Sequence, residues 1–182
     1  MKCCLLAIVV LLFGCAQKYQ KVPQASQACG IYKVSDLKRM LLHERLGGLP
    51  DLECYTRKDT ILEGEEGVSW KGTSYYYEGH LAFMAESNWQ DTKRVSRITI
   101  QSPLIREGEI FVGQPFSKIG NLVATKVPNS PDGYLFLTYK ADSAISIQLD
   151  ISTESAGSRL VYGVDDVSKI PGTLTIESIV IM

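Results

Sequence analysis

Histidine is scarce in this chain: His43 and His80 are the only two in 182 residues. No His-x₃-His or Cys-x₂-Cys spacing exists, so the usual zinc-holding patterns are missing. There is no Gly-x-Ser-x-Gly elbow, no P-loop and no Gly-x-Gly-x-x-Gly, which removes the common signatures of serine hydrolases and of nucleotide- and dinucleotide-binding enzymes. Basic runs are missing as well. The 19 basic and 20 acidic residues leave a formal net charge of −1. That balance speaks against nucleic acid as a partner and against electrostatic attachment to anionic lipid head groups. What the chain does have is length, enough to bury a real core in one domain.

One apolar run stands apart. It extends from Leu5 to Phe13 and follows the single charge of Lys2. A bilayer takes roughly 20 apolar residues to cross, so this run is too short to span one. A basic start, a short apolar core and small residues at the end read as a secretory signal. The end, Leu12-Phe13-Gly14-Cys15, resembles the bacterial lipobox. The resemblance implies that residues 1–14 are a signal peptide, that the Cys15 thiol is lipidated, and that the new amino group is acylated. The alternative is an ordinary secretory signal that happens to end at a cysteine. Two or more acyl chains give a stable anchor, at about 0.8 kcal/mol per buried CH₂. Residue 16 is Ala, not Asp, which under the Gram-negative sorting rule implies the periplasmic face of the outer membrane.

Compartment governs how the five cysteines are counted. Cys3 and Cys4 leave with the signal and Cys15 carries lipid. Cys29 and Cys54 then stand in an oxidising compartment. A disulfide between them closes a loop of about 25 residues and stabilises by about 3 kcal/mol. Two free buried thiols are the alternative.

Residues 15–28 are polar and Gln-rich and read as a flexible tether; residues 29–182 read as a single globular domain. Val34 to Leu46 is the best helix, with Ser35 as N-cap, Asp36 at the positive end, and Val34, Leu37 and Leu41 on one face. Gly47-Gly48 and Pro50 stop it. Strands are expected at Leu52–Lys58, through the tyrosine run, at His80–Glu86, Arg94–Gln101, Tyr134–Tyr139, Ser143–Ser152 and Leu174–Ile181. A further short strand is expected at Leu160-Val161-Tyr162. Phe116 to Leu122 reads as a second, short helix. The fold class is α+β, a mostly antiparallel sheet with one or two short helices. Ile31-Tyr32, Leu37, Arg39 and Met40 echo Ile110-Phe111, Phe116, Lys118 and Ile119. That echo leaves two similar halves, 29–103 and 104–182, as an open alternative to one unit.

Two groups of side chains are candidates for chemistry or contact. Glu63, Glu65 and Glu66, with Asp165 and Asp166, are paired carboxylates of the kind glycosidases use, but clusters in loops more often serve as solvated surface. Tyr75-Tyr76-Tyr77, with Trp70 and Trp89, supply large contact area of the type enriched at interfaces. In a strand, neighbouring tyrosines face opposite sides, so the run divides between core and surface.

Several pieces resemble the sigma-E-regulated outer-membrane lipoproteins of enterobacteria and relatives. They are the lipobox, Ile98 to Pro103, the Gly108 to Gly113 punctuation, Pro128-Asn129-Ser130 before Tyr134-Leu135-Phe136, and Ile176 to Ile181. The resemblance implies an envelope lipoprotein and no particular mechanism. Ser155 to Gly163 is similar to the inhibitory loop of lysozyme-inhibitor lipoproteins and makes Ser158 and Arg159 candidate contacts, although that family's second Tyr-Gly element is missing here. The resulting expectation is a non-enzymatic, cofactor-free binding or accessory module, lipid-anchored at the outer membrane and contacting another envelope protein. A periplasmic lysozyme inhibitor is the alternative.

Overall fold

A computed structural model describes residues 32–64, 67–127, 134–152 and 164–182. The expected signal, lipid site and tether lie outside them. So do Cys29, the Leu160 to Tyr162 strand, and Ser158 and Arg159.

The chain builds one antiparallel sheet of seven strands in the order β1-β2-β3-β4-β7-β6-β5. The strands are β1 (Tyr55–Glu63), β2 (Ser69–Tyr77), β3 (His80–Glu86), β4 (Arg97–Ile100), β5 (Leu135–Thr138), β6 (Ile145–Leu149) and β7 (Ile176–Ile181). Two short helices accompany them, α1 (Val34–Leu41) and α2 (Phe116–Ile119). The expected α+β class with an antiparallel sheet is therefore what the chain adopts. Strands β1 to β4 run across one half in sequence order, β5 to β7 run back across the other, and the two sets meet where β4 pairs with β7.

Alternation explains which side of the sheet is core. Tyr75 lies opposite Phe83, Phe83 opposite Ile100, Ile98 opposite Ile181, and Ile179 opposite Ile147. All of these are buried, and aromatic or β-branched side chains at alternate positions suit the pleat. Each such side chain contributes about 1.5–3 kcal/mol by leaving water. Val34, Leu37 and Leu41 of α1, Phe116 and Ile119 of α2, and the connecting residues Ile105, Ile110, Ile170 and Leu174 complete the same cluster. Strand β6 shows the expected pattern, with Ile145, Ile147 and Leu149 buried and Ser146 and Gln148 half-buried between them.

Several boundaries differ from expectation. Helix α1 ends at Leu41, not Leu46. His43 adopts a left-handed φ of 68°, which an α-helix does not accommodate. The backbone from His43 to Leu46 instead bonds to Lys93 and Val95. Ser35 is not the N-cap; the helix starts at Val34, the Lys33 N–H donates to Asp36 Oδ2 at 3.4 Å, and Glu107 Oε2 accepts the Ser35 N–H at 2.9 Å. A carboxylate at that end suits the helix dipole. Strand β1 starts three residues later than Leu52, because Cys54 has φ 69° and breaks the extended run. Glu78 and Gly79, with φ of 50° and 83°, make the tight turn between β2 and β3. Two positive φ values are what a type I′ hairpin turn requires.

The disulfide expectation needs correction. Cys54 is the only cysteine among the described residues, so those residues hold no complete bridge between two of their own. Cys54 itself is disulfide-bonded. Its assignment to Cys29 falls outside the described residues and is not a feature of the fold described here. Among the described residues no helix is long and apolar enough to cross a membrane.

Candidate functional site

The tyrosine run closes β2 and divides across the sheet. Tyr75 faces the core and is wholly buried. Its ring stacks on Phe83 at 4.5 Å between centroids, and its hydroxyl donates to the Pro50 carbonyl at 2.9 Å. Burial pushes its phenol up to about 12; Arg57 opposes that rise, and Asp51 and Asp59 add to it. Tyr75 therefore supplies core and not contact surface, contrary to the sequence reading. Tyr77 lies on the same side, half-buried, 5.7 Å from the Tyr55 ring. Glu78 beside it holds its phenol above the ordinary value, with loss of solvent as the next cause. Tyr76 alone of the three faces the other side of the sheet.

That other side is not simply wet. Leu62 lies opposite Trp70, Ser74 opposite Met84, and Thr99 opposite Val180. Leu62, Trp70, Tyr76, Met84 and Phe136 stand there half-buried, with Val180 buried on the same side, and none of the six belongs to the core cluster or packs against it. Gly72 makes the surface continuous. A Cβ at this position would meet Leu62 Cδ1 at 3.0 Å and Met84 Sδ at 3.6 Å, so the missing side chain lets those two approach across the strand.

A charged pair is set into this apolar face. The Glu86 side chain is 3 % exposed and Arg97 beside it is 45 % exposed. Arg97 reaches the same Glu86 oxygen through Nε at 3.1 Å and through a second guanidinium nitrogen, and Trp70 Nε1 donates to it at 3.3 Å. Three donors on one carboxylate oxygen offset its desolvation. Among the described residues no buried side-chain nitrogen or oxygen lacks a partner. At the rim, Trp89 is 64 % exposed. It borders a hollow of about 380 Å³ together with Trp70, Ser96, Arg97 and Met182.

Trp70, Trp89 and Tyr76 stand out in the sequence as contact candidates; Leu62, Met84, Phe136, Glu86 and Arg97 do not. One signal was available: Leu81 to Ala85 is continuously apolar, the mark of a strand with little water on either face. The carboxylates weighed for acid–base work are held elsewhere. Lys169 donates to Asp165, and Asp166 accepts the Ser168 N–H at 2.8 Å. These hydrogen bonds hold both carboxyls below the ordinary carboxylate range, away from the raised value a general acid needs. Glu65 and Glu66 lie outside the described residues. No group of three His, Cys, Asp or Glu among the described residues is placed to hold a metal.

No protein-family model matches the chain, and no curated protein matches it in sequence. Its fold does have a solved counterpart. A crystal structure described as the uncharacterized protein yfeY from Escherichia coli superposes with a TM-score of 0.51 at 12 % identity, over 70 % of this chain and 81 % of that one. At that identity the likeness concerns the fold alone.

Proposed function

We propose that the chain is a lipid-anchored binding module of the bacterial envelope, tethered through Cys15 to the periplasmic face of the outer membrane. It acts by contact and not by turnover, and it docks another envelope protein on the open face of its sheet around Tyr76. The observation that supports this reading is that face. It carries five half-buried apolar residues outside the core cluster, Leu62, Trp70, Tyr76, Met84 and Phe136, a hydrogen-bonded Glu86–Arg97 pair and an exposed Trp89 at its edge. Apolar surface with aromatic and arginine anchors, rimmed by polar groups, is the composition of interface cores. The chain between Cys15 and Tyr32 spans at most about 60 Å when fully extended, which keeps the domain near the membrane surface.

A photo-reactive amino acid at Tyr76 or Trp89 in growing cells tests the contact. A single discrete adduct from both positions, absent from exposed Lys118 on α2 at the core side of the sheet, supports a docking face. Smears or no adduct from either position overturn it. The anchor is tested separately: Cys15→Ala should leave the outer-membrane fraction, and full retention there would refute lipidation at that residue.

A further inference from the structure

On the core side of the sheet, beyond the end of α1, the chain builds a second and quite different surface. The backbone from His43 to Leu46 lies antiparallel to Lys93–Val95, joined by three hydrogen bonds of 2.9 Å. Arg45 and Arg94 are direct partners across that pair. Like charges placed opposite each other destabilise such a pairing. Lys71 comes from β2 and Lys93 from the β3–β4 connection, and the four cations border one hollow of about 790 Å³. Gly47 and Gly48 also line it, each with open space where a Cβ would stand.

Among the described residues, no carboxylate lies within ion-pair distance of these four side chains. The one acid in the hollow, Asp91, turns its Oδ1 to the Lys93 N–H at 3.0 Å. In the adjoining hollow Asp59 accepts the Thr73 hydroxyl at 2.8 Å and lies 3.6 Å from Arg57. Arg94 donates one guanidinium N–H to the His43 carbonyl at 3.0 Å, which fixes the group while leaving its other donors available. Four cations against one acid is a strong local excess in a chain whose formal net charge is −1.

We propose that this hollow binds a multiply charged phosphoryl group, a phosphomonoester or a pyrophosphate, between the two arginines and the two lysines. A single carboxylate would offset too little of the excess. A phosphoryl group brings more charge, several acceptor oxygens, and the geometry that arginine forks match. The bound anion removes the Arg45–Arg94 repulsion. This site goes beyond the docking face, lies on the opposite side of the sheet from Tyr76, and stands whether or not that face has a partner.

Lysine acylation footprinting on the full lipidated protein tests it with two probes. One is inorganic pyrophosphate added to protein in detergent. The other is phosphatidic acid, present or absent in the phosphatidylcholine vesicles that carry the protein. Lys71 and Lys93 should acylate several-fold more slowly with at least one probe, with Lys58 unchanged. Arg45→Gln, a variant at an exposed residue, should weaken the protection roughly tenfold, the loss of one charge-assisted contact. Protection by pyrophosphate alone assigns a soluble ligand, and protection by vesicles alone assigns a head group; either outcome supports the site. No protection from either probe, equal protection of Lys58, or protection indifferent to Arg45→Gln overturns it.

Discussion

The sheet has two edges, and they are built differently. At the β5 edge the inward residues are Leu135 and Leu137, both buried. At the β1 edge the inward residues are Tyr55, Arg57, Asp59, Ile61 and Glu63, and none of them is buried. Arg57 donates to the Leu49 carbonyl and lies near Asp51 and Asp59, while Ile61 is 68 % exposed. Packing holds the β5 edge. The backbone ladder to β2 and a set of polar contacts hold the β1 edge, and its charges also discourage pairing with a stray strand. The core thus ends before the sheet does, and the uncovered end is where the four-cation hollow lies.

The sharpest way to break this contrast is a matched pair of truncations. Leu137→Ala should cost about 2–5 kcal/mol in urea denaturation, the loss of a fully buried leucine. Ile61→Ala should stay within about 0.5 kcal/mol. Equal costs would mean that β1 is packed after all. Next in size is Arg97→Met, which strips two donors from a Glu86 carboxylate that is 3 % exposed. A loss of about 1–3 kcal/mol is expected, partly restored by Arg97→Lys. Indifference would show that Trp70 and water suffice.

Two smaller effects carry a pH signature, one at each end of the sheet. Tyr75→Phe removes the bond to Pro50 and should cost about 0.5–1.5 kcal/mol near neutrality. The Tyr75 phenol is raised to about 12. The folded state therefore holds that proton longer than the unfolded chain, and the stability tied to it is lost as pH rises from about 10 through the folded value. The phenylalanine variant should lose less stability across that window; parallel curves would contradict the assignment. At the other end, Lys38 Nζ lies 2.6 Å from Asp142 in the β5–β6 turn. That hydrogen bond holds the Asp142 carboxyl below its ordinary value against the opposing effect of desolvation, and the Ala144 N–H helps to lower it. Asp142→Asn should cost about 0.2–1 kcal/mol near neutral pH. The difference from wild type is present above about 3.9 and should vanish as pH falls through the lower folded value. A difference that persists in acid would point to packing and not charge.

Where local signals were complete, the sequence reading matched the structure. His80–Glu86 was expected and observed residue for residue, since a left-handed Glu78-Gly79 turn bounds one end and an apolar run fills the strand. Ile145, Ile147 and Leu149 announced their own period. The misses came from partners far away in the chain. Residues 42–46 carry a helical pattern, but the backbone from His43 to Leu46 bonds to Lys93–Val95 instead. Alternation separated Tyr76 from Tyr75 and Tyr77 but did not say which parity met the core. The four cations are drawn from positions 45, 71, 93 and 94, so the absence of a basic run concealed a basic surface.

The pairing of β4 with β7 has a consequence for the order of assembly. The strands beside β4 on its two sides are β3, which immediately precedes it, and β7, the last of the seven in chain order. Until β7 is synthesised, the Ile98 and Ile100 edge of β4 has no strand to close it, so the sheet cannot be completed from its first four strands. Contacts between residues this far apart in sequence make folding slow and leave transient edges open. Completion of the sheet therefore waits for Ile176–Ile181, the last of the seven strands in chain order, whatever the order in which the others pair.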